Sequence, residues 1–152
     1  MAEELLYLPK VLFNKRTGAR AAIRGNEAHP DITGEMMLYP FQGGTLVVTA
    51  VRGLPENNFY ALHIHDGSEC VGDFTTAGAH FNPTGAEHPN HAGDLPPLLS
   101  SNHFAYMILY TGRFTPEEVT GKTVIIHEKP DDFKTQPSGG AGARIACGII
   151  EN

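Results

Sequence analysis

The stretch ALHIHDG, residues 61–67, puts His63 and His65 one residue apart inside an apolar run. Together with Phe59 and Tyr60 before it, and Gly67 closing it, the stretch predicts a β-strand. Side chains of a strand alternate between faces, so Leu62 and Ile64 share one face and His63 and His65 the other. The two histidine Cα atoms then stand about 6.6 Å apart, close enough for both imidazoles to reach one metal ion. The plainer alternative is a half-exposed strand with two solvated histidines, since imidazole is amphipathic.

The rest of the chain repeats the strand pattern. Arg20–Gly25, Ile32–Leu38, Thr45–Gly53 and Asn58–His65 are short β-rich runs, followed later by Phe104–Tyr110, Thr123–His127 and Arg144–Ile150. Gln42-Gly43-Gly44 reads as a hairpin turn, and Thr115-Pro116-Glu117-Glu118-Val119 as one helical turn with Thr115 as N-cap. No window keeps a 3.6-residue period. Seven or eight short strands with turn signals predict an all-β sandwich or flattened barrel. Two stretches, Asp66 to about Asn102 and Glu128 to Ala143, read as long loops, of a length that is functional or disordered in compact domains.

The chain has 152 residues, read as one domain over 1–152, and 41% of them are hydrophobic, which disfavours disorder. No apolar run is long enough to span a bilayer, so no membrane partner is expected. The opening MAEELLYLPKVLFNKRTG lacks a basic segment followed by an apolar one, so the expected location is cytoplasmic unless an export leader has been removed. A net charge of −6 argues against a nucleic-acid partner. From Gly53 to Gly112 there is no Lys or Arg, while Glu56, Asp66, Glu69, Asp73, Glu87, Asp94 and six of the eight histidines fall there. Such a segment suits a bound cation.

The candidate ligands are His63, His65, His80, His88, His91, Asp94 and His127. His88, His91 and Asp94 form H-x2-H-x2-D, eight residues after His80, and His127 ends the strand TVIIH. Seven candidates exceed one tetrahedral site and suggest two metals. Cys70 and Cys147 do not form a C-x-x-C pair; with no export signal in view, composition favours free thiols over one disulfide.

The blocks HIH (63–65), GAHFNP (78–83), HAGDLP (91–96), HEKPDD (127–132) and GARIACG (142–148) resemble, in order, the signature blocks of the copper/zinc superoxide dismutase family. The likeness covers most of the chain; the N-terminal third is similar only in strand pattern. It implies a Greek-key sandwich or flattened barrel of about eight antiparallel strands with two long functional loops. It implies copper on His63, His65, His80 and His127, and zinc on His80, His88, His91 and Asp94, with His80 bridging. It implies Asp131 as the carboxylate linking a copper-side to a zinc-side histidine, with Asp132 the lesser candidate, and Arg144 as the cation beside the copper. His80 and Arg144 are then the catalytic candidates, and the substrate is superoxide anion. The resemblance also reverses the cysteine reading, implying a Cys70–Cys147 disulfide.

Two departures from the family pattern stand out. The segment between His88 and His91 is shorter than usual, as is Glu128–Ala143, which leaves Lys129, Lys134 and the adjoining Arg144 as the obvious local cations. His29 and His103 match no ligand and read as ordinary surface histidines. A non-catalytic copper/zinc-binding module on the same fold, or a sandwich stabilised by zinc alone, is the competing function; the pattern leaves both monomer and homodimer open.

Overall fold

The computed structural model describes residues 16–152; residues 1–15, on which the leader reading rests, lie outside it. Eight antiparallel strands form one sheet: β1 Ala19–Gly25, β2 Thr33–Phe41, β3 Gly44–Arg52, β4 Phe59–His65, β5 Asp94–Leu99, β6 Phe104–Thr111, β7 Thr123–His127 and β8 Arg144–Glu151. Their spatial order is β5-β4-β7-β8-β1-β2-β3-β6, and the end strands β5 and β6 approach each other, so the sheet curls into a nearly closed barrel. The chain crosses between β3 and β4 and again between β6 and β7, which separates strands that are neighbours in sequence.

Local chemistry explains the simplest pieces. β2 and β3 pair from Thr33↔Arg52 to Phe41↔Gly44, leaving Gln42 (φ 50°) and Gly43 (φ 76°) as a two-residue turn. Positive φ at both turn positions matches the twist of the flanking strands. The helical turn is α1, Pro116–Val119; the Glu118 carboxylate reaches back to accept the Thr115 N–H at 2.7 Å. Among the described residues no helix is long and apolar enough to cross a membrane.

One expectation is corrected. Asp66 to Asn102 is not a continuous loop, because it contains β5 and a single 3-10 turn at Thr75–Ala77. Asp94-Leu95-Pro96-Pro97-Leu98-Leu99 reads poorly as strand because Pro donates no ladder bond. β5 lies at an end of the strand order, where prolines are tolerated.

The barrel interior holds Ile23, Leu38, Val47, Leu62, Ile64, Val124 and Ile126. Leu62 and Ile64 thus face inward as the alternation predicts. The opposite face of β4 is buried as well, with His63 0% and His65 1% exposed. Its cover comes from the two loops: Ile64 N–H donates to Gly93 O at 2.8 Å, and Ala61 N–H to Lys129 O at 3.0 Å. Gly93 has to be glycine, because a Cβ there would collide with Ile64 O. Outside the barrel, Phe74, Ala77, Ile125 and the Cys70–Cys147 disulfide form a second apolar cluster that pins the 66–78 segment to β7 and β8.

Candidate metal centre

β4 delivers His63 and His65, and the bulge between Ile126 and His127 at the end of β7 re-aims His127 toward them. Phe81 N–H bonds to Ile64 O at 2.8 Å, which seats His80 against β4. His88 and His91 ride on the connection into β5, and Asp94 opens β5 opposite His63. All seven ligand candidates are buried, none more than 9% exposed. Two groups of donor atoms each fall within 4.8 Å: His63, His65, His80 and His127, and His63, His80, His88 and Asp94. His91 joins the second through Nδ1, 3.2 Å from His80 Nδ1 and 3.2 Å from Asp94 Oδ2.

The hydrogen bonds decide which nitrogens carry lone pairs. A carbonyl only accepts, so His65 Nδ1–H donates to Gly78 O at 2.8 Å and His127 Nδ1–H to Gly142 O at 3.3 Å. Their Nε2 atoms are therefore unprotonated, and they face each other at 3.3 Å. His63 Nε2–H donates to Asp131 Oδ2 at 2.8 Å, leaving His63 Nδ1 buried without a partner. His88 Nε2–H donates to Asp131 Oδ1 at 2.8 Å, leaving His88 Nδ1 as an acceptor 3.0 Å from the Asp94 carboxylate. His80 presents Nδ1 to Asp94 Oδ1 at 2.7 Å, while its Nε2 is buried and unpartnered.

Buried lone pairs aimed at one another repel and lose hydration. A cation turns both costs into bonds. Donor separations near 3.0–3.3 Å fit the edge of a tetrahedron with metal–ligand bonds of about 2.0–2.1 Å. The arrangement therefore offers a metal-binding centre, with two overlapping donor groups that have His63 and His80 in common.

Electrostatics keep these donors available. Burial, reinforced by the His80 and His127 imidazoles, lowers the His63 pKa to about 2. Burial likewise lowers His65 to about 2 and His127 to about 4, despite their carbonyl partners. All three rings are neutral at pH 7, as metal ligation requires. Burial pushes the Asp94 carboxyl up, but the His80 hydrogen bond and the surrounding imidazoles more than offset it, so its pKa is lowered.

Arg144 starts β8 directly opposite His127. Its Nη1–H donates to Phe74 O at 2.7 Å, and its Nη2–H to Gly78 O at 2.6 Å. Burial lowers its pKa, yet a guanidinium stays charged at neutral pH. A cavity of about 370 Å³ opens between the loops, lined by His65, His80, His91, His127, Pro137 and Arg144 among others. Among its described lining residues Arg144 is the one Lys or Arg, so Lys129 and Lys134 are not brought there.

Asp131 and Asp132 separate cleanly. Asp131 is 5% exposed and bridges His63 and His88. Asp132 instead accepts the Lys134 and Thr135 N–H groups, each at 2.8 Å, and caps its own loop. Of the two unmatched histidines, His103 is exposed and donates to Leu54 O at 2.7 Å, and half-buried His29 bonds to Asn26 at 3.0 Å. The sequence reading missed the acceptors Gly78 O and Gly142 O, because a carbonyl has no sequence signature. The glycines themselves (φ 71° and 76°) were the available signal.

Residues 32–150 match the family described as copper/zinc superoxide dismutase. The chain is 32% identical to superoxide dismutase [Cu-Zn] 2 of Aquifex aeolicus, over 95% of this chain and 93% of that protein. It is 36% identical to superoxide dismutase [Cu-Zn] of Caulobacter vibrioides, over 71% and 72% of the two. Among solved structures, the crystal structure of a superoxide dismutase-like protein from Bacillus subtilis superposes with TM-score 0.75 at 29% identity, covering 85% of this chain and 95% of that one. A match running through the barrel and both covering loops, at this identity over nearly a whole relative, leaves one assignment: the chain belongs to the copper/zinc superoxide dismutase family.

Proposed function

We propose that the protein disproportionates superoxide to oxygen and hydrogen peroxide. The observation that supports this most directly is a single cavity on which His65, His80, His127 and Arg144 converge beside two donor sets sharing His63 and His80. In this reading copper would be held by His63 Nδ1 and by Nε2 of His65, His80 and His127. Zinc would be held by Nδ1 of His80, His88 and His91 and by Asp94, and His80 could serve both ions only after giving up its ring N–H proton. His63 is near both sets, but its Nε2–H is committed to Asp131. It therefore has one lone pair to offer, and the second set takes His91. Bound copper would supply the one-electron redox couple that zinc lacks.

The chain's own residues do the rest. Arg144 is immobilised before substrate arrives, because three carbonyls, Phe74 O, Thr75 O and Gly78 O, hold its two Nη atoms. Its Nε–H and second Nη2–H remain free of protein partners among the described residues, and both can donate to an anion in the cavity. A preorganised charge of this kind costs no reorganisation when the anion binds. The protein's net charge of −6 repels superoxide at long range. Attraction must therefore act within roughly a Debye length, about 8 Å at physiological salt. The His80 ring lines the same cavity, and its Nε2 would be able to hold a proton for the peroxide product whenever copper does not occupy it. Asp131 fixes His63 and His88 in the tautomers that leave both Nδ1 atoms free.

Metal analysis of the purified protein, paired with a superoxide-consumption assay, tests this reading. Copper, zinc and rapid dismutation are expected together. Both metals bound without turnover would replace it with the metal-binding module, and zinc alone with the structural sandwich.

A further inference from the structure

We propose that Gln136 is a positioning residue for His88, holding that donor to its metal through the His88 backbone, with Arg113 bracing the same segment at Pro89 and His91. The inference rests on the two-metal reading above.

The segment from Asn82 to His91 carries two donors but little secondary structure to hold them. Its internal backbone bonds are few: Gly85 N–H to Asn82 O at 3.4 Å and Asn90 N–H to Glu87 O at 2.8 Å. Buried backbone groups nevertheless need partners. Here side chains supply them. Asn82 takes both backbone groups of Ala86, accepting its N–H at 3.0 Å and donating to its carbonyl at 2.9 Å. Gln136 does the same for His88 from the far loop: its Oε1 accepts the His88 N–H at 3.0 Å, and its Nε2–H donates to His88 O at 2.7 Å. Arg113, between β6 and α1, donates from Nη1 to Pro89 O at 3.0 Å and to His91 O at 3.1 Å.

The Gln136 pair is what a neighbouring strand would provide. Two bonds from one planar amide to the N–H and C=O of a single residue fix the orientation of the two peptide units that flank its Cα. The His88 ring is then gripped from the same loop, since Asp131 holds its Nε2. With backbone and ring both fixed, His88 Nδ1 is aimed beside Asp94. None of the Gln136 or Arg113 contacts reaches His63, His65, His127 or Arg144; only Asp131, through its other oxygen, touches His63. The effect of Gln136 should therefore fall on the His88–His91–Asp94 ion and spare the other.

Gln136→Ala and the near-isosteric Gln136→Glu test this in the full chain. Gln136→Glu keeps an acceptor for the His88 N–H and loses the donor to the His88 carbonyl. The zinc dissociation constant, read by competition with a chromogenic chelator, should rise roughly tenfold in both, at the low end of what loss of an outer-sphere partner costs because Gln136 is solvent-exposed. Copper content and the melting temperature of the metal-free chain should stay at the wild-type values. Arg113→Gln, which removes the bonds to Pro89 O and His91 O, should give the same selective loss and serves if the Gln136 variants fail to fold. Wild-type zinc affinity in Gln136→Ala would overturn the inference and leave the two-metal reading standing. Equal loss of both metals, or lower melting of the metal-free chain, would also overturn it, by showing a merely structural clamp. A wild-type chain that takes up no zinc would overturn both readings.

Discussion

His65 and Arg144 share one acceptor: Gly78 O takes the His65 Nδ1–H at 2.8 Å and the Arg144 Nη2–H at 2.6 Å. A ring that faces the metal cavity and the guanidinium that faces the same cavity are thereby set by one carbonyl. That carbonyl belongs to a segment tied to β8 by the Cys70–Cys147 disulfide, three residues beyond Arg144. Anything that lets residues 66–78 drift displaces both groups together.

Reduction of the disulfide should therefore cost stability and order at once. The bridge spans 77 residues. In the chain-entropy description a loop of that length contributes about 4.5 kcal/mol. Denaturant unfolding of the oxidised and reduced metal-free protein measures the loss, and dismutation by the reduced, metal-loaded protein should fall with it. Two alkylatable thiols in the unreduced protein would contradict the pairing.

Replacing Arg144 by Glu puts a negative charge where an anion must approach. The rate should drop tenfold or more, a decade corresponding to about 1.4 kcal/mol of lost transition-state stabilisation. Metal content should not change. Added salt should harm this variant less than the wild type, since it now screens a repulsive group. Rate against ionic strength for both proteins is the measurement, and an unchanged rate would assign guidance to other charges.

His127→Ala should abolish dismutation while the barrel survives. It removes one member of the set formed with His63, His65 and His80 and touches none of His88, His91 and Asp94. Copper should be lost and zinc retained, with the far-ultraviolet circular dichroism unchanged. Normal copper binding at full rate would refute the ligand assignment.

The metal-free protein should lose stability in mild acid. His65 and His127 have pKa values lowered by burial from 6.5 to about 2 and about 4. At pH 5 the unfolded chain binds protons on these rings that the folded chain refuses, so stability falls as pH falls. The loss begins near pH 6.5, where unfolded histidine titrates, and runs down to each folded value. Its slope is about 1.4 kcal/mol per pH unit for each such ring. Unfolding midpoints of chelator-treated protein at pH 7.5 and pH 5.5 check this, and equal midpoints would count against it.

Much of this architecture is legible along the chain. The alternation at Leu62-His63-Ile64-His65 announces a strand with two chemically distinct faces, and the structure puts Leu62 and Ile64 in the barrel core. The Gln42-Gly43 turn and the Thr115 cap are local decisions, written in residues that few other conformations suit. β5 was not legible. Its prolines argue against a strand until its place at an end of the strand order is known, and order is a property of the whole sheet. Gln136 and Arg113 were not legible either, since their partners are backbone groups 48 and 22–24 residues away.

By itself the sequence determined which donor types exist and how they are spaced: imidazoles and a carboxylate on strand ends and loops, all but His127 in a segment without Lys or Arg. Only the tertiary structure decided which nitrogen of each ring is free. A neutral imidazole has one lone pair, and its position is set by what the other nitrogen donates to. Those partners are Gly78 O, 13 residues from His65, and Asp131, 68 residues from His63 and 43 from His88. No local pattern can specify a hydrogen bond across such separations, because it exists only once both covering loops have closed over β4.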